Sequence, residues 1–310
     1  MQVTLQVVVT GLAAGGVYGL VAIGFSLAFR LTGTIYLAFG DLIGLGVFTT
    51  LLVAAGTGPV TQTNVPVGRF VLGAVLGVLV CVVVAAGGYL LVVEPFLARG
   101  STLGWAGGTL ALAFGIHALL DSVFPRPAYV FPDPIPFRRV GESGFVTVAG
   151  ATVQVRALYV AAVALFLALV VAWIVDRTRV GRGLQAIAAD PEGARVVGVP
   201  ATWLVPLAFG LAGGVAALAA ITAAPSAPVS VETGTLLGVK GLAAALVVRF
   251  GSPLLAFAAG AALGLVEAAI ANVHVAGAQL GPAYSTVIPL ALVLLVLALW
   301  PPREALEAIE

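Results

Sequence analysis

FVLGAVLGVLVCVVVAAGGYLLVV, residues 70–93, carries no charge and shows no alternation of polar with apolar positions. As a helix this stretch rises about 36 Å, enough to cross a bilayer core of about 30 Å. In lipid a backbone must satisfy its own hydrogen bonds, which leaves helices or closed barrels. Barrel strands alternate lipid-facing with lumen-facing residues, so an unbroken apolar run selects the helix.

Runs of the same character lie on both sides, near residues 6–29, 33–55, 102–124, 156–175, 201–222, 234–249, 254–273 and 283–300. Hydrophobic residues make up 61% of the 310 and charged residues 9%, against about a quarter charged in a soluble domain. The mean hydropathy is +1.16. The expected fold is all-α, a polytopic transmembrane helix bundle of about eight or nine spans. One domain covers residues 1–310. The run 234–249 is short and contains Lys240, so it is tilted, broken or re-entrant.

A net charge of +1 gives no basic face for nucleic acid. Cys81 is the single cysteine, which leaves no disulfide within the chain and no cysteine metal cluster. The first positive residue is Arg30, so the N-terminal run lacks a basic leader and reads as a retained span. Glycines four apart (Gly11/Gly15, Gly15/Gly19, Gly40/Gly44, Gly73/Gly77, Gly210/Gly214, Gly260/Gly264) let helix backbones approach closely.

Residues 176–200, DRTRVGRGLQAIAADPEGARVVGVP, break the apolar pattern with seven ionisable side chains. Arg177, Arg179, Arg182 and Arg195 place this loop in the cytoplasm, and counting outward puts Arg30, Arg99, Arg249 and Arg303 there too. Nine crossings with the N-terminus outside satisfy the pattern. Arg126, Arg138, Arg139 and Arg156 then fall outside, against the trend. Their loop, residues 125–155, opens proline-rich and continues as two alternating segments flanking Gly150, a small β-hairpin. It is either a rigid cap that meets an external partner or an ordinary connection.

Two short helices are predicted inside the charged loop. Leu184, Ile187 and Ala188 form an apolar stripe over residues 178–189. In the second, Asp190 is an N-cap, Pro191 suits the first position and Glu192 complements the dipole. Gly198 is a natural C′ residue and Pro200 prevents continuation, giving a helix near residues 191–197. A helix so short must dock on something to persist.

This loop resembles the coupling segment of LivH-type permeases of branched-chain amino acid ABC importers. The resemblance rests on Thr178-Arg-Val-Gly-Arg182, Ala189-Asp-Pro-Glu-Gly-Ala-Arg195 and Gly198. Gly15-Gly-Val-Tyr-Gly-Leu-Val-Ala-Ile-Gly24 is similar as well, as are Gly238-Val-Lys-Gly-Leu-Ala-Ala-Ala-Leu246, Gly251-Ser-Pro253 and Gly264-Leu-Val-Glu267. It implies half of an importer in a bacterial or archaeal inner membrane, not an enzyme and without a cofactor of its own. Its partners would be a second homologous permease, two ATP-binding subunits that hold the ATP, an extracytoplasmic substrate-binding protein and membrane lipid. The sequence carries no G-x-x-x-x-G-K-[ST] phosphate loop, in keeping with a separate ATPase. Gly181, Arg182, Asp190, Glu192, Arg195 and Gly198 would sit in the ATPase groove. One stretch departs from the family: Tyr36-Leu-Ala-Phe-Gly-Asp41 stands where an Asn-Phe-Ala-His-Gly-Glu-like sequence is usual. Tyr36, Phe39 and Asp41 are therefore candidates for the pathway or gate, where they would alter substrate preference.

Charges inside spans cost about 2.5–3.5 kcal/mol each at mid-bilayer on insertion scales and need partners. Lys240 and Glu267 each lie about six residues from the outer ends of adjacent antiparallel spans, a depth of about 9 Å. Equal depth predicts an ion pair. Asp41 is expected in the inner half of the second span, as a pathway or gate residue or as a partner of Arg30. His117 and Asp121, four apart, suggest a structural hydrogen bond. The competing class is an ion-coupled secondary transporter using Asp41, Glu267 and His117. An intramembrane enzyme is the weakest reading, because the sequence offers no metal set or nucleophile–base motif.

Overall fold

The computed structural model describes residues 2–57, 65–133, 145–148 and 151–272, together with 274, 275, 278, 279, 287 and 291. Among them, six helices are long and apolar enough to cross a membrane. The chain opens with α1 (Gln2–Thr32), followed by α2 (Phe39–Ala55) and α3 (Val67–Gly88). A π-helical turn, Tyr89–Val93, joins α3 to the short α4 (Glu94–Ala98). Next come α5 (Thr102–Val123), the antiparallel pair β1 (Phe145–Val148) and β2 (Ala151–Gln154), and α6 (Val155–Arg177). The charged segment forms α7 (Arg179–Ala189) and α8 (Pro191–Val196). The chain then runs through α9 (Ala201–Ala223), α10 (Glu232–Val247) and α11 (Pro253–Ala271) to a two-residue pair, β3 (His274–Val275) and β4 (Ala278–Gln279).

Of the nine expected runs, two give helices shorter than a full crossing: α2 with 17 residues and α10 with 16. Of the ninth, residues 283–300, only 287 and 291 are among the described residues. Helix α1 is the centre of the bundle, packed against α6, α9, α10 and α11. Its contact with α11 is backbone to backbone. A Cβ on Gly260 would collide with the backbone of Gly19, and one on Gly264 with that of Gly15. This is the close approach that the glycine spacing predicts.

The late start of α2 corrects the expected depth of Asp41. Gly33 turns the chain with φ +66° and donates its N–H to Phe29 O at 2.7 Å. Residues 33–38 then run without helix back into the bundle, and α2 begins only at Phe39. The ring of Phe39 lies 4.9 Å from that of Phe25 and occupies the space beside Gly24. That level is eight residues before the end of α1, about 12 Å along the axis. Asp41 therefore sits deep in the bundle rather than near Arg30. Non-helical backbone is tolerated where it is buried in protein, as Thr34, Tyr36 and Ala38 are here.

The two ends of the bundle differ. Arg30 from α1, Arg249 from the turn after α10, and Gln185 and Pro191 from α7 and α8 line one crevice. Arg30 and Arg249, assigned by charge counting to the side of the charged loop, thus lie at its end of the bundle; Arg303 lies outside the described residues. At the other end, Tyr129 and Val229 exchange backbone hydrogen bonds of 2.8 and 2.9 Å, tying the loop after α5 to the loop before α10. Here Arg156 is buried and paired with Asp133, and the Arg126 guanidinium lies 5.9 Å from the centre of the Tyr129 ring. These contacts account for arginines on the side that charge counting disfavours. Arg138 and Arg139 lie outside the described residues.

Candidate functional site

The charged segment is a rigid, locally specified unit. Thr178 Oγ1 accepts from Gly181 N at 3.1 Å, capping α7, and donates to Ile174 O at 2.6 Å. Gln185 Nε2 donates to Val175 O and to Asp176 Oδ1, tying α7 to the end of α6. Gly181 is buried against the carbonyls of Ile174 and Val175, where any side chain would collide. Of the predicted stripe, Leu184 and Ile187 are buried and Ala188 is half-buried against the bundle core, and Ala194 of α8 is buried beside them.

Helix α8 is capped at both ends. Asp190 Oδ1 accepts from Glu192 N at 3.1 Å and Gly193 N at 3.0 Å. At the far end Gly198 has φ +83° and donates to Arg195 O, while Val199 donates to Ala194 O. This double bond pattern is a Schellman closure. The surface so held presents Arg182, Glu192 and Arg195 to solvent. Beside them Val196 and Val197 are 89% and 82% exposed. Sequence reasoning passed over these valines, although the Arg195-Val-Val-Gly198 run, apolar within a charged segment, was a visible signal.

The second polar site lies between helices. Lys240 Nζ is 2.6 Å from Glu267 Oε1 and donates to Tyr18 OH at 3.1 Å. The ammonium also lies 4.9 Å from the centre of the Tyr18 ring. Helices α10, α11 and α1 thus meet at one charge pair. Tyr18 was the member missed, because its part depends on how α1 stands beside α10.

The third site centres on Asp41, whose side chain is 8% exposed. Its Oδ1 accepts from Thr235 Oγ1 at 2.9 Å and lies 3.0 Å from His117 Nδ1. The contacts join α2, α10 and α5. His117 Nε2 is 3.8 Å from Asp121 Oδ2, too long for a hydrogen bond. The short contact of the histidine is therefore with Asp41, not with its neighbour four residues on. Tyr36 and Phe39 are fully buried with Phe209 and Phe25 in an aromatic cluster.

Comparison with known proteins fits this architecture. The model of the family described as branched-chain amino acid transport system / permease component matches residues 7–297. The chain is 26% identical over 308 residues to the high-affinity branched-chain amino acid transport system permease protein BraD of Pseudomonas aeruginosa, covering 96% of this chain and 94% of that one. It is 34% identical over 137 residues to the autoinducer 2 import system permease protein LsrC of Salmonella typhi, covering 44% and 35% of the two chains. A bundle of membrane-length helices matched along nearly its whole length by a transport permease model leaves one assignment: this multi-pass membrane protein belongs to the family described as branched-chain amino acid transport system / permease component.

Proposed function

We propose that this chain forms half of the translocation pathway of an ABC importer in a bacterial or archaeal inner membrane. It would pair with a second homologous permease and receive amino acids, branched-chain or related small solutes, from an extracytoplasmic binding protein. Two separate ATP-binding subunits would drive it, so the chain itself needs no cofactor. The family membership does not favour the ion-coupled alternative.

The observation that carries the reading is the exposed tip of α8. Two apolar side chains stand almost fully in water on a helix fixed by caps at both ends. Fully burying a valine contributes about 1.5–3 kcal/mol, so a partner that covers both gains affinity without ordering a flexible loop. Arg182, Glu192 and Arg195 form a charged rim around them, and Gly181, Asp190 and Gly198 hold the platform. Asp41, Tyr36 and Phe39 would act in gating as a packed plug whose release opens the pathway.

The test is reconstitution with the ATP-binding and binding-protein subunits in proteoliposomes. Replacing Val196 and Val197 together by Asp should abolish solute-stimulated ATP hydrolysis and uptake while the permease pair still assembles. Uptake by the purified permease without any nucleotide-hydrolysing partner would end the proposal.

A further inference from the structure

At the end of the bundle opposite α8, a cavity of about 250 Å³ opens between α1, α2, α6, α9 and the start of α10. Small side chains create it: Ala13, Ala157, Ala220 and Ala224 stand where larger residues would close the space. Its floor is Ile43, Val47 and Phe48. None of the residues lining it is charged. Thr10, Gln154 and Ser226 form the mouth, and all three are exposed. Gln154 ends the β1–β2 hairpin, and Ser226 precedes the strand-like contact of Val229 with Tyr129. The entrance is thus set by the turn from β2 into α6 and the turn after α9, with Thr10 of α1 beside them, at the end of the bundle that holds the Tyr129–Val229 contact.

We infer that this cavity is a binding site for a compact aliphatic group, presented by a small ligand whose polar head stays in water at the mouth. Three features select that class. The volume equals about eight waters at ~30 Å³ each and falls below the ~300–1,000 Å³ of pockets for drug-sized molecules. An apolar hollow of this kind excludes water and rewards an apolar guest. The uncharged wall offers no counter-ion, so an ammonium or carboxylate has to remain outside, at the hydroxyl and amide groups of Thr10, Ser226 and Gln154. A waystation for cargo inside one permease subunit, before the shared pathway, follows if the import reading holds. Occupancy of the cavity does not depend on it.

The chain supplies a clean test. Cys81 is its only cysteine, buried and donating to Leu42 O at 2.9 Å, so a Ser226→Cys variant has one reactive thiol, at the mouth. The full chain in lipid nanodiscs is treated with a maleimide in the presence of L-leucine, isoamyl alcohol, L-alanine or L-tryptophan. With L-leucine or isoamyl alcohol at about twice its dissociation constant, labelling slows about threefold. L-alanine and L-tryptophan leave the rate unchanged, the first too small and the second too large. Adding Ala220→Phe to fill the cavity removes the protection by leucine, and Ala157→Leu does the same if the phenylalanine variant does not assemble. No protection by either aliphatic probe, or equal protection by alanine, overturns the inference. Labelling that is slow in nanodiscs whatever the solute, and fast in a short-chain detergent, assigns the cavity to a lipid tail and also overturns it. Protection that persists where reconstituted uptake fails sinks only the import reading.

Discussion

Lys240 and Glu267 are the residues on which the interior electrostatics turn. An ion pair removed from water gains little net stability, but stranding one member costs about 3–5 kcal/mol. Lys240→Met should therefore lower the melting temperature in detergent sharply, as should Glu267→Leu. The double variant, apolar on both sides, should recover most of the loss, which thermal unfolding of all three variants measures. Tyr18→Phe removes one acceptor of the ammonium and keeps the ring, so its effect should be smaller. At Asp41 the prediction separates charge from hydrogen bonding. Asp41→Leu strands Thr235 and His117, at about 1–3 kcal/mol for each unsatisfied group, while Asp41→Asn retains an acceptor and destabilises less. The two sites also differ in how far the sequence disclosed them. Residue counting along adjacent antiparallel helices sets Lys240 and Glu267 at one depth, because that arithmetic has a single dimension. The surroundings of Asp41 do not follow from counting, since six residues without helix move it a full turn or more along the bundle.

At the level of elements, what is written locally is what the sequence reveals. The caps of α8, Asp190 and Gly198, act within four residues of themselves and were readable without tertiary knowledge. Asp190→Ala should weaken the helix by about 1 kcal/mol. Gly198→Val forces a branched side chain into a left-handed backbone, which is costlier. Both variants should reduce coupled ATP hydrolysis more than they reduce assembly of the permease pair, as comparison of activity with co-purification would reveal. The hairpin β1–β2 was likewise legible from alternation around Gly150. The π-helical turn at Tyr89–Val93 was not. Residues 70–93 read as one uniform apolar helix, and nothing in their composition marks where a turn widens. The turn follows Gly88, whose bare backbone receives the hydroxyl end of Tyr36 from the re-entering segment, a contact between distant residues.

For the whole molecule, topology is the claim most open to direct measurement. In Cys81-only background, Val197→Cys should react with a membrane-impermeant maleimide in inverted vesicles and Ser226→Cys in right-side-out ones. The opposite result would invert the charge-based orientation. Gly264→Leu should disrupt the bundle as a whole, because the added side chain meets the backbone of Gly15 and Gly11 with nowhere to move. Loss of a monodisperse peak on size-exclusion chromatography is the expected readout.

That same glycine seam has a mechanical meaning. Most paired helices interlock through side chains, which must climb over one another before either helix can shift lengthwise. Between Gly15–Gly19 of α1 and Gly260–Gly264 of α11 those teeth are missing, so axial slip is the soft direction while separation forfeits the contact along its whole length. The tether from Lys240 to both Tyr18 and Glu267 limits the travel to what one flexible side chain can follow. A thrust delivered at the far end of the molecule would thus be absorbed by α1 and α11 as a short, bounded glide.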